Sequence, residues 1–156
     1  MSEQNYSNVI DRILEILQNN EELKSRVASF RFGDLPDESY GTEFPLVYVT
    51  MSSESERRRL GPSTFNQKGP ESITVEYRIV VIVNSQDEPS ETQRGMYELR
   101  SIIENILRNN TQLRNAEGND PICANLETDA VRRVAKQRGR LLDGLTIIVR
   151  CTHFRD

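Results

Sequence analysis

Apolar residues recur at helical spacing near the start of the chain: Val9, Ile10, Ile13, Leu14 and Leu17 fall on one side, Asp11, Arg12, Glu15 and Gln18 on the other. Repeats of three and four residues mark a helix with one buried stripe, so the pattern predicts an amphipathic helix from Ser7 to about Asn19-Asn20. Glu21 to Val27 has the composition for another turn or two. The chain then reads as extended at Phe30-Arg31-Phe32 and as a loop through Gly33, Asp34, Pro36 and Asp37. Phe44 to Met51 is rich in β-branched and aromatic residues and predicts a strand, with Pro45 suited only to its beginning or to an edge.

Strict alternation follows. Ile73, Val75, Tyr77, Ile79, Val81 and Val83 share one face of a strand from Ser72 to Val83, while the other face passes from Thr74, Glu76 and Arg78 to Val80 and Ile82. The first half is therefore expected to be covered on one side and the second half on both. Such a strand spans roughly 40 Å at about 3.3 Å per residue, longer than usual. Between the two strands, Ser52 to Glu71 holds Gly61, Pro62, Gly69 and Pro70 and almost nothing apolar. Loops of that length in compact domains are uncommon and usually functional. The expectation is a projecting arm that has too little to bury to order itself alone. The early half of the following strand is expected to leave backbone donors and acceptors open to a neighbour.

After a turn at Asn84 to Pro89, Ser90 and Gln93 have capping-box spacing, and Met96, Leu99, Ile102, Ile103, Ile106 and Leu107 form the second helical stripe, ended by Asn109-Asn110. A polar connection with Gly118 and Pro121 leads to a strand from about Leu126 to Ala135 and a last strand from Leu145 to Phe154. Gly139 and Asp143-Gly144 lie between them, as in a hairpin with a basic tip. The predicted class is α+β. A single domain over residues 1–156 is expected to hold a four-stranded antiparallel or mixed sheet, two amphipathic helices packed on one face, and a long hairpin arm over 52–71.

Composition narrows the function classes. A chain of 156 residues, 36% hydrophobic and 28% charged, can bury a core and reads as neither disordered nor membrane-embedded. Met1 to Asn5 lacks a signal-peptide pattern and no stretch approaches the roughly 18 apolar residues of a membrane span, so the expectation is a soluble protein made in the cytosol, with no membrane partner. Cys123 and Cys151 lack the spacing of a zinc or redox motif, and the single histidine, His153, lies two residues beyond Cys151 on the same predicted strand. Two such side chains stand about 7 Å apart, too far for a nucleophile and its base to share a hydrogen bond. No glycine-rich phosphate loop or nucleophile elbow occurs. No catalytic, metal-binding or cofactor-binding residue is therefore expected.

Charge is more informative locally than in total. The net charge of −4 argues against a general nucleic-acid binder. Two basic runs nevertheless stand out, Arg57, Arg58 and Arg59 in the arm and Arg132, Arg133, Lys136, Arg138 and Arg140 across the last hairpin, and an acidic stretch holds Asp34, Asp37, Glu38 and Glu43. Neither basic run is interleaved with aromatic residues, which removes base stacking from its repertoire. Each basic run reads as a solvated face, a subunit interface or a contact with a nucleic-acid backbone, such as DNA in a lumen, and the acids are candidates for the opposing interface.

The order and apolar pattern of Val9 to Leu14, Phe44 to Val49, a long arm, Glu76 to Val83, Leu99 to Leu107 and Gly144 to Phe154 resemble the tail-terminator or tail-completion proteins of tailed viruses. The resemblance covers most of the chain and rests on no specific residue motif. It implies a structural virion subunit without catalytic residues, assembled in the host cytoplasm and located in the tail or neck. Such a subunit forms a ring with itself, typically a homohexamer, on the head-proximal end of the tail tube, stops tube growth, and meets the tube protein and a neck or connector protein. A sibling neck or head-tail joining protein shares the pattern. Two other classes compete: a small nucleic-acid-binding module, and an enzyme completed only on oligomerisation.

Overall fold

The computed structural model describes residues 6–33, 43–59, 71–84, 89–110, 113, 125–137 and 140–155, with backbone alone for 52–59, 71, 89, 125–137, 140–142 and 153–155. The elements run α1 (Tyr6–Gln18), α2 (Glu21–Arg26), β1 (Ser29–Phe32), β2 (Leu46–Arg59), β3 (Glu71–Asn84), α3 (Pro89–Arg108), β4 (Asn125–Gln137) and β5 (Arg140–Arg155). The strands form one sheet in the order β1-β2-β3-β5-β4. All neighbours are antiparallel except β1 and β2. Parallel neighbours need a connection of about a dozen residues, and residues 33–45 supply it.

The α+β class, the mixed sheet and the one-sided helices agree with the sequence pattern, and the extended piece around Phe30 joins the sheet as a fifth strand. α1 buries the predicted stripe Val9, Ile10, Ile13, Leu14 and Leu17, packing on β1 and β2. α3 buries Met96, Leu99, Ile102, Ile103, Ile106 and Leu107 against β3 and β5. Helix α3 begins two residues earlier than one capped by Ser90 would, at Pro89, where a missing N–H costs nothing and the ring presets φ. Ser90 is thus inside the helix.

Between the long helices sits α2, whose six residues could not persist alone. Asn20 caps it, its side-chain oxygen accepting from the Leu23 N–H at 3.0 Å. Glu21 and Glu22 lie in its first turn and Lys24 and Arg26 in its last, each complementing the helix dipole, and Leu23 is fully buried. Asn20→Ala is expected to cost about 1 kcal/mol, measured by chemical denaturation. Asn20→Asp, which keeps the acceptor, should cost much less, and equal losses would show that the cap is not what stabilises this turn.

On the sheet, Ile73, Val75, Tyr77, Ile79 and Val81 are at most 1% exposed and join the helical stripes, Val47, Val49, Leu145, Ile147, Val149 and Cys151 in one core. The opposite face is different. Ser72, Thr74, Glu76, Arg78, Val80 and Ile82 on β3 and Thr146, Ile148, Arg150 and Thr152 on β5 are all half-buried. The expectation that the second half of β3 would be covered on both sides holds only in part: Val80 and Ile82 are half-buried rather than buried, because both long helices lie on the other face. Leu46, opposite Ile82, is fully buried yet stands outside the main core.

Three further expectations change. Ser52 to Arg59 is strand, not loop: it continues β2 along β3 to the pair Arg59↔Glu71, with bulges between Met51 and Ser53 and between Glu54 and Glu56. That half of the expected arm is ordered by pairing within the chain; residues 60–70 lie outside those described. β3 does not keep free backbone groups, since it pairs with β2 on one side and with β5 from Glu71↔Arg155 to Asn84↔Leu142 on the other. Asp143-Gly144 is not a turn either. It lies within β5, opposite Val83 and Ile82 on one side and Val134 and Arg133 on the other, so two flanking ladders override its local turn preference.

Candidate functional site: a notch in the sheet edge

β1 is only four residues long and pairs with Leu46 to Val49 alone. It ends at Gly33, whose φ of +79° is strained for a residue with a side chain, and the Gly33 N–H closes the ladder on the Val49 carbonyl at 2.7 Å. Beyond that point, among the described residues, the outer edge of β2 from Thr50 to Arg59 has no strand beside it. The missing continuation of β1 leaves a notch. At its inner end lie Phe32, 52% exposed, and Met51, 36% exposed, two of the three exposed large hydrophobic side chains among the described residues. The opposite edge of the sheet, β4, is likewise without an outer strand among the described residues.

The predicted charged residues do not converge. Arg57, Arg58 and Arg59 stand opposite Ile73, Ser72 and Glu71 at the far end of β2. Arg132, Arg133 and Lys136 stand opposite Leu145, Gly144 and Leu141, and Arg140 pairs with Gln137 where β5 begins. Because Leu145 aligns with Val81, the second run sits eight residues away along β3, roughly 26 Å. Arg138 and the acids Asp34, Asp37 and Glu38 lie outside the described residues. Glu43 is exposed, and its backbone carbonyl accepts from the Ser29 hydroxyl at 3.1 Å, tying the entry of β2 to β1.

The face opposite the long helices carries a small polar cluster. Glu76 lies 3.9 Å from Arg78 and 3.7 Å from Arg150, and the Thr74 and Thr152 hydroxyls are 3.2 Å apart. Both arginines are about 40% exposed, so these contacts are screened and weakly stabilising. Towards the other end the face turns apolar through Tyr48, Val80, Ile82 and Ile148.

Elsewhere a shallow groove of about 780 Å³ runs between α2 and α3 past half-exposed Tyr97. Arg26 holds two of its acids, Glu98 at 2.7 Å and Glu22 at 4.0 Å. Cys151 is buried in the core, and Cys123 lies outside the described residues. His153 faces Ile73 in the ladder, two residues along the same strand from Cys151. No group of three potential metal ligands occurs among the described residues, and no described helix is long and apolar enough to cross a membrane.

Phe32 and Met51 were not legible as a site in the sequence. Phe32 belongs to a segment that reads only as extended and Met51 to the end of a predicted strand, and neither pattern records where β1 stops. Compared with protein-family models and with curated protein sequences, the chain matches none.

Proposed function

We propose that this chain is a structural ring subunit of a tailed-virus tail, a terminator that caps the head-proximal end of the tube and joins it to the neck. The observation that carries the reading is a long sheet with both long helices on one face, the other face only half-buried along β3 and β5 and apolar near Val80, Ile82 and Ile148. A subunit that meets other chains along the sheet keeps such a surface. The element order and the resemblance it carries point the same way. Contact with the DNA backbone is a weaker second role, because the two basic runs lie at opposite ends of the sheet and form no continuous basic stripe on one chain.

Two measurements test this. Native mass spectrometry of the purified chain should find a closed oligomer of defined stoichiometry. Added to polymerising tube subunits encoded with it, the chain should bind one end and halt elongation, seen by electron microscopy. Tubes that elongate to unaltered length in its presence would overturn the terminator reading.

A further inference from the structure

We infer that the notch along the outer edge of β2 binds an extended acidic segment of a partner protein. The segment adds as a strand antiparallel to β2, with acidic residues opposite Arg57 and Arg59 and an apolar residue beside Phe32 and Met51. The inference concerns one edge of a single subunit, so it goes beyond the ring reading and does not depend on it.

The Val49 carbonyl, which accepts the Gly33 N–H, points away from β3, so Val49↔Ile79 is a pair that exchanges no hydrogen bonds. By the alternation along β3, Met51↔Tyr77, Glu54↔Val75, Arg57↔Ile73 and Arg59↔Glu71 are pairs of the same kind. Met51, Glu54, Arg57 and Arg59 therefore turn their backbone N–H and C=O groups outward, where no described strand meets them. The stretch aligns with β3 from Tyr77 to Glu71, roughly 20 Å, and a segment of about seven extended residues spans it. In strand addition, outward backbone groups of this kind supply affinity and alternate side chains supply specificity.

The same four residues lie in the row of Ile73, Val75 and Tyr77, on the face that carries the helices, and Phe32, opposite Val49, lies in that row too. From the end of β1 outward the row reads Phe32 and Met51, Glu54, then Arg57 and Arg59. Its inner end is apolar and open, with Phe32 and Met51 both exposed. Its outer end is basic. No bulge lies between Arg57 and Arg59, so acids at alternate positions of an added strand stand directly opposite both. Antiparallel addition, the slightly more stable sense, places those acids first in the segment and the apolar residue last. The two bulges and the charges of this edge keep unlike strands away.

A nucleic-acid strand is the other polyanion that three arginines could meet, and it fits this edge less well. Arg58 aligns with Ser72, in the opposite row from Arg57 and Arg59, so the three do not share a face. Glu54 and Glu56 adjoin them in the same strand. Phosphates have no donor for the outward carbonyls and nothing to cover Phe32 and Met51, whereas a peptide strand satisfies both.

The test uses the full chain and a fluorescently labelled peptide of sequence ETETVTVT, with binding followed by anisotropy. Saturable binding is expected, weakened about tenfold or more in KTKTVTVT and in the reversed order VTVTETET, which sets the acids against Met51. Methylating the backbone nitrogens of the glutamates and valines, which face β2 in this register, should abolish binding, and methylating those of the threonines should leave it nearly unchanged. Arg57→Glu with Arg59→Glu should weaken the glutamate peptide about tenfold and favour the lysine one, whereas Arg58→Glu, in the other row, should change little. Circular dichroism checks that the variants are folded, and the methylated peptides test the wild-type chain whatever the variants do. Amide exchange should slow on binding at Met51, Glu54, Arg57 and Arg59. A thymidine oligonucleotide of matching length that binds as tightly as the peptide would overturn the inference in favour of a phosphate contact. Indifference to the methylation pattern, or no saturable binding, would overturn strand addition and leave the ring reading untouched.

Discussion

Ile103→Ala lowers the unfolding free energy by about 2–5 kcal/mol, the cost of truncating a fully buried side chain to a methyl and leaving part of the space empty. Ile103 is 0% exposed at the centre of the α3 stripe, flanked by Met96, Leu99, Ile106 and Leu107 and facing the sheet strands β3 and β5. Little in the surroundings can collapse into the gap. The helix is one layer and the sheet the other, and strand backbones held by ladders on both sides do not shift inward. Urea unfolding followed by far-UV circular dichroism gives the value, with Ser101→Ala on the exposed side of the same helix as the control. The control should stay within about 0.5 kcal/mol of wild type. If Ile103→Ala did the same, α3 would not be the lid of this core.

Ile147→Thr and Ile148→Thr, the same exchange at adjacent positions, are expected to differ by about 2 kcal/mol or more. Ile147 is fully buried between Ile79 of β3 and Ala130 of β4, in the core under the helices. Threonine there loses buried carbon and brings a hydroxyl into an apolar site, and the two costs together reach about 2–4 kcal/mol. Ile148 lies on the other face opposite Arg78 and is half-buried. There the hydroxyl keeps access to water and the residue stays β-branched, so the loss in the monomer should be below about 1 kcal/mol. Thermal and urea unfolding of both variants under monomeric conditions measure the difference. Equal losses would mean that the face opposite the helices is packed as tightly as the core, and the assembly reading would lose its carrying observation.

The sequence by itself determined the local elements and the face each one buries. The stripes of α1 and α3 and the alternation from Ile73 to Val83 are strong because helical and strand periods place apolar side chains on one side whatever the rest of the chain does. From these the α+β class and the one-sided helical layer followed. Tertiary structure alone decided which segments complete the sheet. Ser52 to Arg59 has no apolar alternation, yet it is strand because β3 supplies the hydrogen-bond partners. Asp143-Gly144 has the composition of a turn, yet it lies inside β5 because β3 and β4 pair with it from both sides. The candidate site belongs to the same class of facts. Where β1 stops, which strands stand at the edges, and how far apart Arg57 and Arg132 fall are set by strand order and register. Those are hydrogen-bond choices between residues distant in the chain, and periodicity within a segment carries no record of them.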